Sequence, residues 1–148
     1  MSTLPDLPLE TGSWRSPSWE HATVADVMCA PAVACAADTP LTAVARTMVT
    51  RHIHVVIVAP ADGAGAAGWR VVSDRAVAAA GARASRLTAG DVAAEPLEAA
   101  EPGWPLDRAA VLMADHGASH LVVVDPHGRP TGMLSTIDLA GVIAWGRG

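Results

Sequence analysis

The stretch Thr23-Val-Ala-Asp26-Val27 returns 65 residues later as Thr88-Ala-Gly-Asp91-Val92. The same spacing relates Met48 to Met113, so the repetition extends well beyond one short motif. A unit of this length that occurs only twice predicts a pseudo-symmetric pair with one shared core, because a solenoid needs about three or more units. Binding sites are therefore expected between the two copies.

The repetition continues through a β-branched segment, where the spacing changes. His54-Val-Val-Ile-Val-Ala-Pro60 matches His120-Leu-Val-Val-Val-Asp-Pro126 at a spacing of 66, which implies one inserted residue in the second copy. Val71-Val72-Ser73 then matches Met133-Leu134-Ser135 at a spacing of 62, because the first copy has the longer preceding loop. This alignment predicts that the two histidines hold the same place at the head of a strand.

Each copy shows the pattern strand–helix–strand–strand–helix. Apolar residues at i, i+3, i+4 and i+7 run from Leu41 to Met48 and again from Leu106 to Met113, which is typical of a helix with one buried face. Thr39 is predicted to cap the first of these helices, with Pro40 as its first residue. The other predicted segments are strands at 53–58, 69–72, 120–124 and 131–134, short strands after Pro31 and Pro96, and final helices at 74–80 and 136–145.

The expected fold is therefore of the α/β class (α+β), with both copies folding as one unit of 148 residues. Its expected parts are a flexible N-terminal tail at 1–20, a first repeat at 21–81, a linker at 82–87 and a second repeat at 88–148. The tail contains two tryptophans, so part of it is alternatively expected to lie along a groove of the folded body.

Bulk composition excludes some partners and suggests a location. A net charge of −5 with no run of cations disfavours nucleic acid and anionic membranes as partners. The apolar runs are too short to cross a bilayer and the N-terminus does not resemble a signal peptide, so we expect a cytoplasmic protein. Cys29 and Cys35 are expected to be buried free thiols, with pairing as a redox switch as a lesser alternative.

The ordered series of motifs, found twice, resembles the cystathionine β-synthase (CBS) domain. It comprises Thr-x-x-Asp-Val, a Pro-Leu helix start, an apolar strand headed by histidine, and Gly132-Met-Leu-Ser135-Thr-Ile-Asp138, and it covers about residues 23–145. Two such domains in tandem form a Bateman module. The resemblance implies two repeats packed through their sheets, two clefts between them, adenine nucleotides or related adenosyl ligands as occupants, and dimerisation through helix faces.

The resemblance assigns a ribose-binding role to the Ser/Thr-x-x-Asp signature, which the second copy holds as Ser135 and Asp138. A carboxylate can accept protons from both ribose hydroxyls, and the serine hydroxyl and first helical N–H groups suit a phosphate. The alternative is an ordinary capping box, with Ser135 as N-cap. The first copy has Ala76 in place of the aspartate, so its cleft is in doubt unless Asp74 substitutes.

Histidine stands where the family places a basic residue for the phosphate. The ligand-binding residues that the resemblance implies are Ser135, Thr136, Asp138, His120, His54, Leu97 and Met133. The alternative is that both histidines are structural and bonded to backbone groups. Arg51 and His116, a few residues earlier in each copy, are further candidates for the cation that contacts the phosphate. The pair His52-x-His54 also has a spacing that suits a metal, but no third ligand is evident.

The predicted function is a non-enzymatic regulatory module that senses an AMP-, ADP- or ATP-like ligand and requires no cofactor. It is expected to form a homodimer, because the last helix carries more apolar residues than one core hides, and to act on an unidentified protein partner. The alternative is a ligand-free dimerising scaffold of the same fold. An enzyme is disfavoured because no nucleophile–base pair, phosphate-binding glycine loop or full metal set is evident.

Overall fold

The structure is a computed structural model that describes residues 18–60, 68–95 and 99–146. Leu97, one of the predicted ligand-binding residues, and Trp14 of the tail lie outside the described residues. In chain order the elements are α1 (Val24–Val27), β1 (Ala34–Cys35), α2 (Leu41–Arg51), β2 (Val55–Val58), β3 (Arg70–Ser73), α3 (Asp74–Ala80), a 3-10 helix (Gly81–Arg86), α4 (Ala89–Val92), β4 (Ala99–Ala100), α5 (Leu106–His116), β5 (His120–Val124), β6 (Pro130–Ser135) and α6 (Thr136–Trp145).

Each copy forms its own three-stranded mixed sheet, in the order β1-β2-β3 and β4-β5-β6. The first two strands of each sheet are parallel and the last two antiparallel. A parallel pair requires a crossover connection, and α2 and α5 supply it. The predicted order strand–helix–strand–strand–helix is confirmed in both copies. The short helices α1 and α4 were not predicted, although the Thr-x-x-Asp motif that begins each of them is a capping box.

Strand register shows that the predicted alignment of the two histidines is wrong. Val55 pairs with Ser73 in the first sheet, and His120 pairs with Ser135 at the same place in the second. His120 is therefore the counterpart of Val55, and the counterpart of His54 is Ser119. Backbone bonds agree, because the amide of Asp74 donates to the carbonyl of His54 and that of Thr136 donates to Ser119.

The extra residue of the second copy lies at the far end of the strand rather than before it. The pairing of β5 with β6 is irregular between Val123 and Val124, and this bulge absorbs the residue. The sequence alignment matched Pro60 with Pro126 and therefore placed the inserted residue before the strand instead of at its far end. A slip of one residue exchanges the two faces of a strand, so the error assigned both histidines to one position.

Buried side chains of the described residues form two clusters rather than the single shared core that was predicted. One cluster contains Leu41, Val56 and Val72 of the first copy. The other contains Leu106 and further residues of the second copy. Each three-stranded sheet packs its apolar face mainly against helices of its own repeat, which is why two cores form.

The two copies exchange their first segments. Val24 of α1 is fully buried in the cluster of the second copy, and Ala89 of α4 is fully buried in that of the first. The amide of Val24 donates to the carbonyl of Trp104 at 2.9 Å, and that of Ala89 donates to the carbonyl of Thr39 at 2.8 Å. Each repeat therefore completes the core of the other.

The described end of the N-terminal segment lies against the second copy. Trp19 packs on its core, and the indole Nε1 donates to Asp107 Oδ1 at 2.6 Å. The predicted helix start at Thr39 is wrong by one residue, since Pro40 is itself the N-cap, with extended backbone and no side-chain cap bond. The proline side chain has no acceptor for the first helical amides, so its contribution is its fixed φ and its carbonyl, which accepts the amides of Ala43 and Val44.

Helix α6 buries one face and exposes another. Leu139 and Val142 are buried, whereas Ile137 is 76 %, Ile143 72 % and Trp145 50 % exposed. No helix among the described residues is long and apolar enough to cross a bilayer.

Candidate ligand-binding cleft

Reciprocal backbone bridges join the two copies beside their last strands. Cys29 and Met133 exchange two N–H···O bonds of 2.9 Å, and Val71 and Ala94 exchange an equivalent pair. Each bridge places the chain that precedes one repeat's first strand against the last strand of the other repeat. Because those last strands lead directly into α3 and α6, the start of each final helix opens into a cleft between the copies.

The larger cleft is a cavity of about 790 Å³. This volume falls within the roughly 300–1,000 Å³ typical of small-molecule pockets. Six of the seven predicted ligand-binding residues line it: Ser135, Thr136, Asp138, His120, His54 and Met133. The seventh, Leu97, lies outside the described residues. Pro31, Val33 and Ile53 add an apolar wall that the sequence prediction missed.

A second cavity of about 240 Å³ lies at the start of α3, in the corresponding cleft of the first copy. Ser73, Asp74 and Arg75 line it, whereas Ala76 does not. Asp74, Arg75 and His120 belong to the walls of both cavities. The two clefts are therefore adjacent and share side chains.

Asp138 serves as a helix cap and also lines the larger cavity. Its Oδ2 accepts the amide of Ser135 at 2.8 Å, and its own amide donates to Ser135 Oγ at 3.1 Å. This is the capping box that the sequence offered as an alternative to a ribose site. The two roles are compatible, because the other carboxylate oxygen, Oδ1, is not used by the cap.

Two of the N–H groups that were expected to suit a phosphate are already engaged. The amide of Thr136 donates to the carbonyl of Ser119 at 3.0 Å, and that of Asp138 donates to Ser135. A ligand at this helix would therefore meet side chains rather than these two donors.

Cys29 lies beside Asp138 in the same cavity. Its Sγ is 3.9 Å from Asp138 Oδ1. Partial burial, followed by the nearby Asp138 charge, raises the pKa of the Cys29 thiol, so it is held as a weak donor rather than a thiolate. The expectation of two buried thiols is wrong, since Cys29 is exposed and Cys35 half-buried, and both are free.

The two histidines have side-chain partners rather than the backbone partners of the alternative hypothesis. His54 Nδ1 is 2.8 Å from Asp74 Oδ2, and His120 Nδ1 is 2.8 Å from Ser119 Oγ. The ring centroids lie 5.4 Å apart. Burial, and then repulsion from His54, lowers the pKa of His120. The hydrogen bond from His54 lowers the pKa of Asp74.

Arg75 is the cavity-lining cation that the sequence analysis missed. Arg51 and His116, named as reserve cations, line neither cavity. The sequence could have pointed to Arg75. Ser73-Asp74-Arg75 aligns with Ser135-Thr136-Ile137, which begins the helix at the predicted site.

The described residues contain no group of three or more His, Cys, Asp or Glu side chains placed to hold a metal ion. His52 lines the larger cavity, but it ends α2 in a left-handed conformation with φ of 56°, so it does not continue the strand that follows. The two-residue spacing of His52 and His54 thus does not place them on one strand face.

Comparison with known families identifies the fold and its repeats. Residues 24–69 and 89–144 each match the CBS domain, and together they make up more than half of the chain. The chain belongs to the CBS domain family. The two matched segments form a tandem CBS pair, and the suspected resemblance is confirmed. No protein among the curated sequences matches the chain.

Solved CBS pairs share this architecture. The CBS domain pair of protein MJ0100, solved in complex with 5′-methylthioadenosine and S-adenosyl-L-methionine, has a TM-score of 0.72 at 18% identity, with 83% of this chain and 96% of that one covered. The CBS domain protein PAE2072 from Pyrobaculum aerophilum, complexed with AMP, has a TM-score of 0.70 at 24% identity, with 82% and 95% covered. At these identities the similarity shows the fold alone.

Proposed function

We propose that this CBS pair is a non-enzymatic regulatory module that binds an adenosine-containing ligand in the larger cleft. AMP, ADP and ATP are the first nucleotides to test. The observation that carries the proposal is the position of Asp138, which lines a cavity of about 790 Å³ and whose Oδ1 is not used by the helix cap. A carboxylate oxygen in a cleft is a strong acceptor for ribose hydroxyls.

The rest of the cavity suits the other parts of such a ligand. Pro31, Val33 and Ile53 offer an apolar surface for the flat base, His54 lines the larger cavity, and His120 lies at the wall shared with the smaller one. Solved relatives with this fold contain AMP or 5′-methylthioadenosine and S-adenosyl-L-methionine, which supports an adenosyl ligand here. Because the first repeat has Ala76, we expect one strong site per chain.

The test is calorimetric titration of adenosine and AMP into the wild-type chain and the variant Asp138→Asn. The substitution removes the charged acceptor. It should lower the affinity for both ligands by about tenfold to a hundredfold, the range for a hydrogen bond to a charged group. Asp91→Asn is the matched control: Asp91 accepts the amide of Thr88 at 2.8 Å in an equivalent capping box but lines neither cavity. Equal losses in both variants would contradict a ligand role for Asp138.

A ligand-free dimerising scaffold is the second candidate. The exposed apolar side chains Ile143 and Trp145 on α6 favour it. It becomes the better proposal if no adenosine compound raises the melting temperature, since a ligand at about a hundred times its Kd stabilises by roughly 2.7 kcal/mol. A homodimer, a cytoplasmic location, an unidentified protein partner and the domain limits 21–81 and 88–148 remain predictions under either candidate.

A further inference from the structure

The wall between the two clefts carries a carboxylate that has no counterpart in the second repeat. Asp74 begins α3 directly after Ser73, and the residue at the same place after Ser135 is Thr136, a neutral side chain. Asp74 lines both cavities, and its Oδ2 lies 2.8 Å from His54 Nδ1. The first repeat thus has a negative charge at a position where the second repeat has none.

The formal charges around the larger cavity do not favour an anion. Asp74 and Asp138 are acidic, and Arg75 is the one permanent cation among the described residues that line it. Burial lowers the pKa of His120, so this ring is mainly neutral at neutral pH.

Asp74, Asp138 and His120 line the same cavity, and both carboxylates act on the charge of His120. If Asp138 holds the ribose, as the proposed function requires, a 5′ substituent that extends towards the wall shared with the smaller cavity meets Asp74. Like charges at such separations repel, and a phosphate chain carries several negative charges. The same carboxylate attracts a cationic group.

We infer that the cleft takes an adenosyl ligand whose 5′ substituent carries no net negative charge, a nucleoside or a sulfonium, and that Asp74 is the specificity-determining residue that disfavours nucleoside polyphosphates. This inference rests on the proposed function and narrows its ligand class, because it ranks AMP, ADP and ATP, whose 5′ phosphates are negatively charged, below adenosyl ligands without a phosphate. It assigns Asp74 a role in selection rather than the role of substitute ribose carboxylate.

The test is calorimetric titration of adenosine, S-adenosylmethionine and magnesium-free ATP at pH 7.5 into three proteins: wild type, Asp74→Asn and Asp115→Asn. Asp115 is an exposed residue of α5 that lines neither cavity, so its variant controls for net charge alone. Wild type should bind adenosine and S-adenosylmethionine more tightly than ATP. Because Asp74 is half-exposed, Asp74→Asn should raise the affinity for ATP by only about fivefold and should leave the affinity for adenosine within about twofold of wild type.

Each result decides the inference. A wild-type protein that binds adenosine, but binds ATP at least as tightly, overturns the inference and leaves the proposed function intact. An equal gain of ATP affinity in Asp74→Asn and Asp115→Asn also overturns it, because the effect would then come from net charge. No binding of any adenosine compound to wild type overturns the proposed function and the inference together. Should Asp74→Asn fail to fold, Asp74→Thr, which copies the second repeat, takes its place with the same expected result.

Discussion

His54 and His120 lie with their ring centroids 5.4 Å apart, although they occupy different positions in the two repeats. His54 precedes β2 and contacts Asp74, whereas His120 is the first residue of β5 and contacts Ser119. The pair is therefore not a symmetric one formed by a repeated motif. Both rings line the larger cavity, and His120 also lines the smaller one, so a positive charge on His54 opposes protonation of His120.

Folding stability should depend on the protonation of His120. Its pKa is lowered in the folded state from 6.5, so the unfolded chain binds more protons in the window between that lowered value and about 6.5. The contribution of neutral His120 to the free energy of unfolding is therefore fully present above about pH 6.5, and it is lost as the pH decreases through the window. The nearby charges that act on His120 come from His54, Asp74 and Asp138.

Melting temperatures recorded from pH 7.5 to 5 test this dependence. The variant His120→Gln should flatten the decrease, while His127→Gln, which changes an exposed histidine outside both cavities, should not. A decrease of the same size in all three proteins would show that other groups cause it.

The two cores should be similarly sensitive to truncation. Leu41 and Leu106 are counterparts in α2 and α5, with exposures of 0% and 1%, but they belong to different clusters. We expect Leu41→Ala and Leu106→Ala each to lower the free energy of unfolding by about 2–5 kcal/mol in urea titrations. Val49→Ala, at a position that is 75% exposed, should change it by less than about 0.5 kcal/mol. Two separate transitions in either leucine variant would contradict interlocked cores.

Two glycines of the second repeat should respond in opposite directions to alanine. A Cβ on Gly132 would lie 2.8 Å from both the carbonyl oxygen of Cys29 and Met28 Sδ, so the backbone bridge beside the cleft has to shift. Gly141→Ala adds a methyl group in open space within α6. Thermal unfolding should show Gly132→Ala destabilised by about 1–3 kcal/mol and Gly141→Ala stabilised by up to about 1 kcal/mol. A neutral Gly132→Ala would mean that the bridge tolerates more separation than the structure indicates.

The exposed face of α6 should mediate self-association. Ile143 is 72% and Trp145 50% exposed, and neighbouring large apolar side chains of this kind mark protein interfaces. Light scattering at micromolar concentration should give a mass near twice 15.1 kDa, and Ile143→Glu should shift it towards the monomer. The comparable substitution Val111→Glu changes an apolar residue of α5 that is 58% exposed, and it should leave the mass unchanged. A wild-type monomer would contradict the predicted homodimer.

The sequence by itself determined the repeat, the order of strands and helices, and six of the residues that line the larger cavity. These features follow from local chemistry: the apolar period fixes α2 and α5, and the Ser135 and Asp138 pattern marks a helix start wherever the chain folds. Tertiary structure alone decided how the two repeats interlock, because α1 and α4 bury their apolar residues in the opposite core and no local pattern records which core a side chain enters.

The pairing register of the strands was also decided only by the tertiary structure. The sequence aligned His54 with His120 through matching prolines, whereas hydrogen bonding between β5 and β6 placed the extra residue in a bulge and paired His120 with Ser135. In the first repeat, the contact of His54 with Asp74 and the position of Arg75 depend in the same way on the register of β2 with β3, in which Val55 pairs with Ser73. They could not be read from the sequence, because a shift of one residue along a strand preserves its composition while reversing the face to which each side chain points.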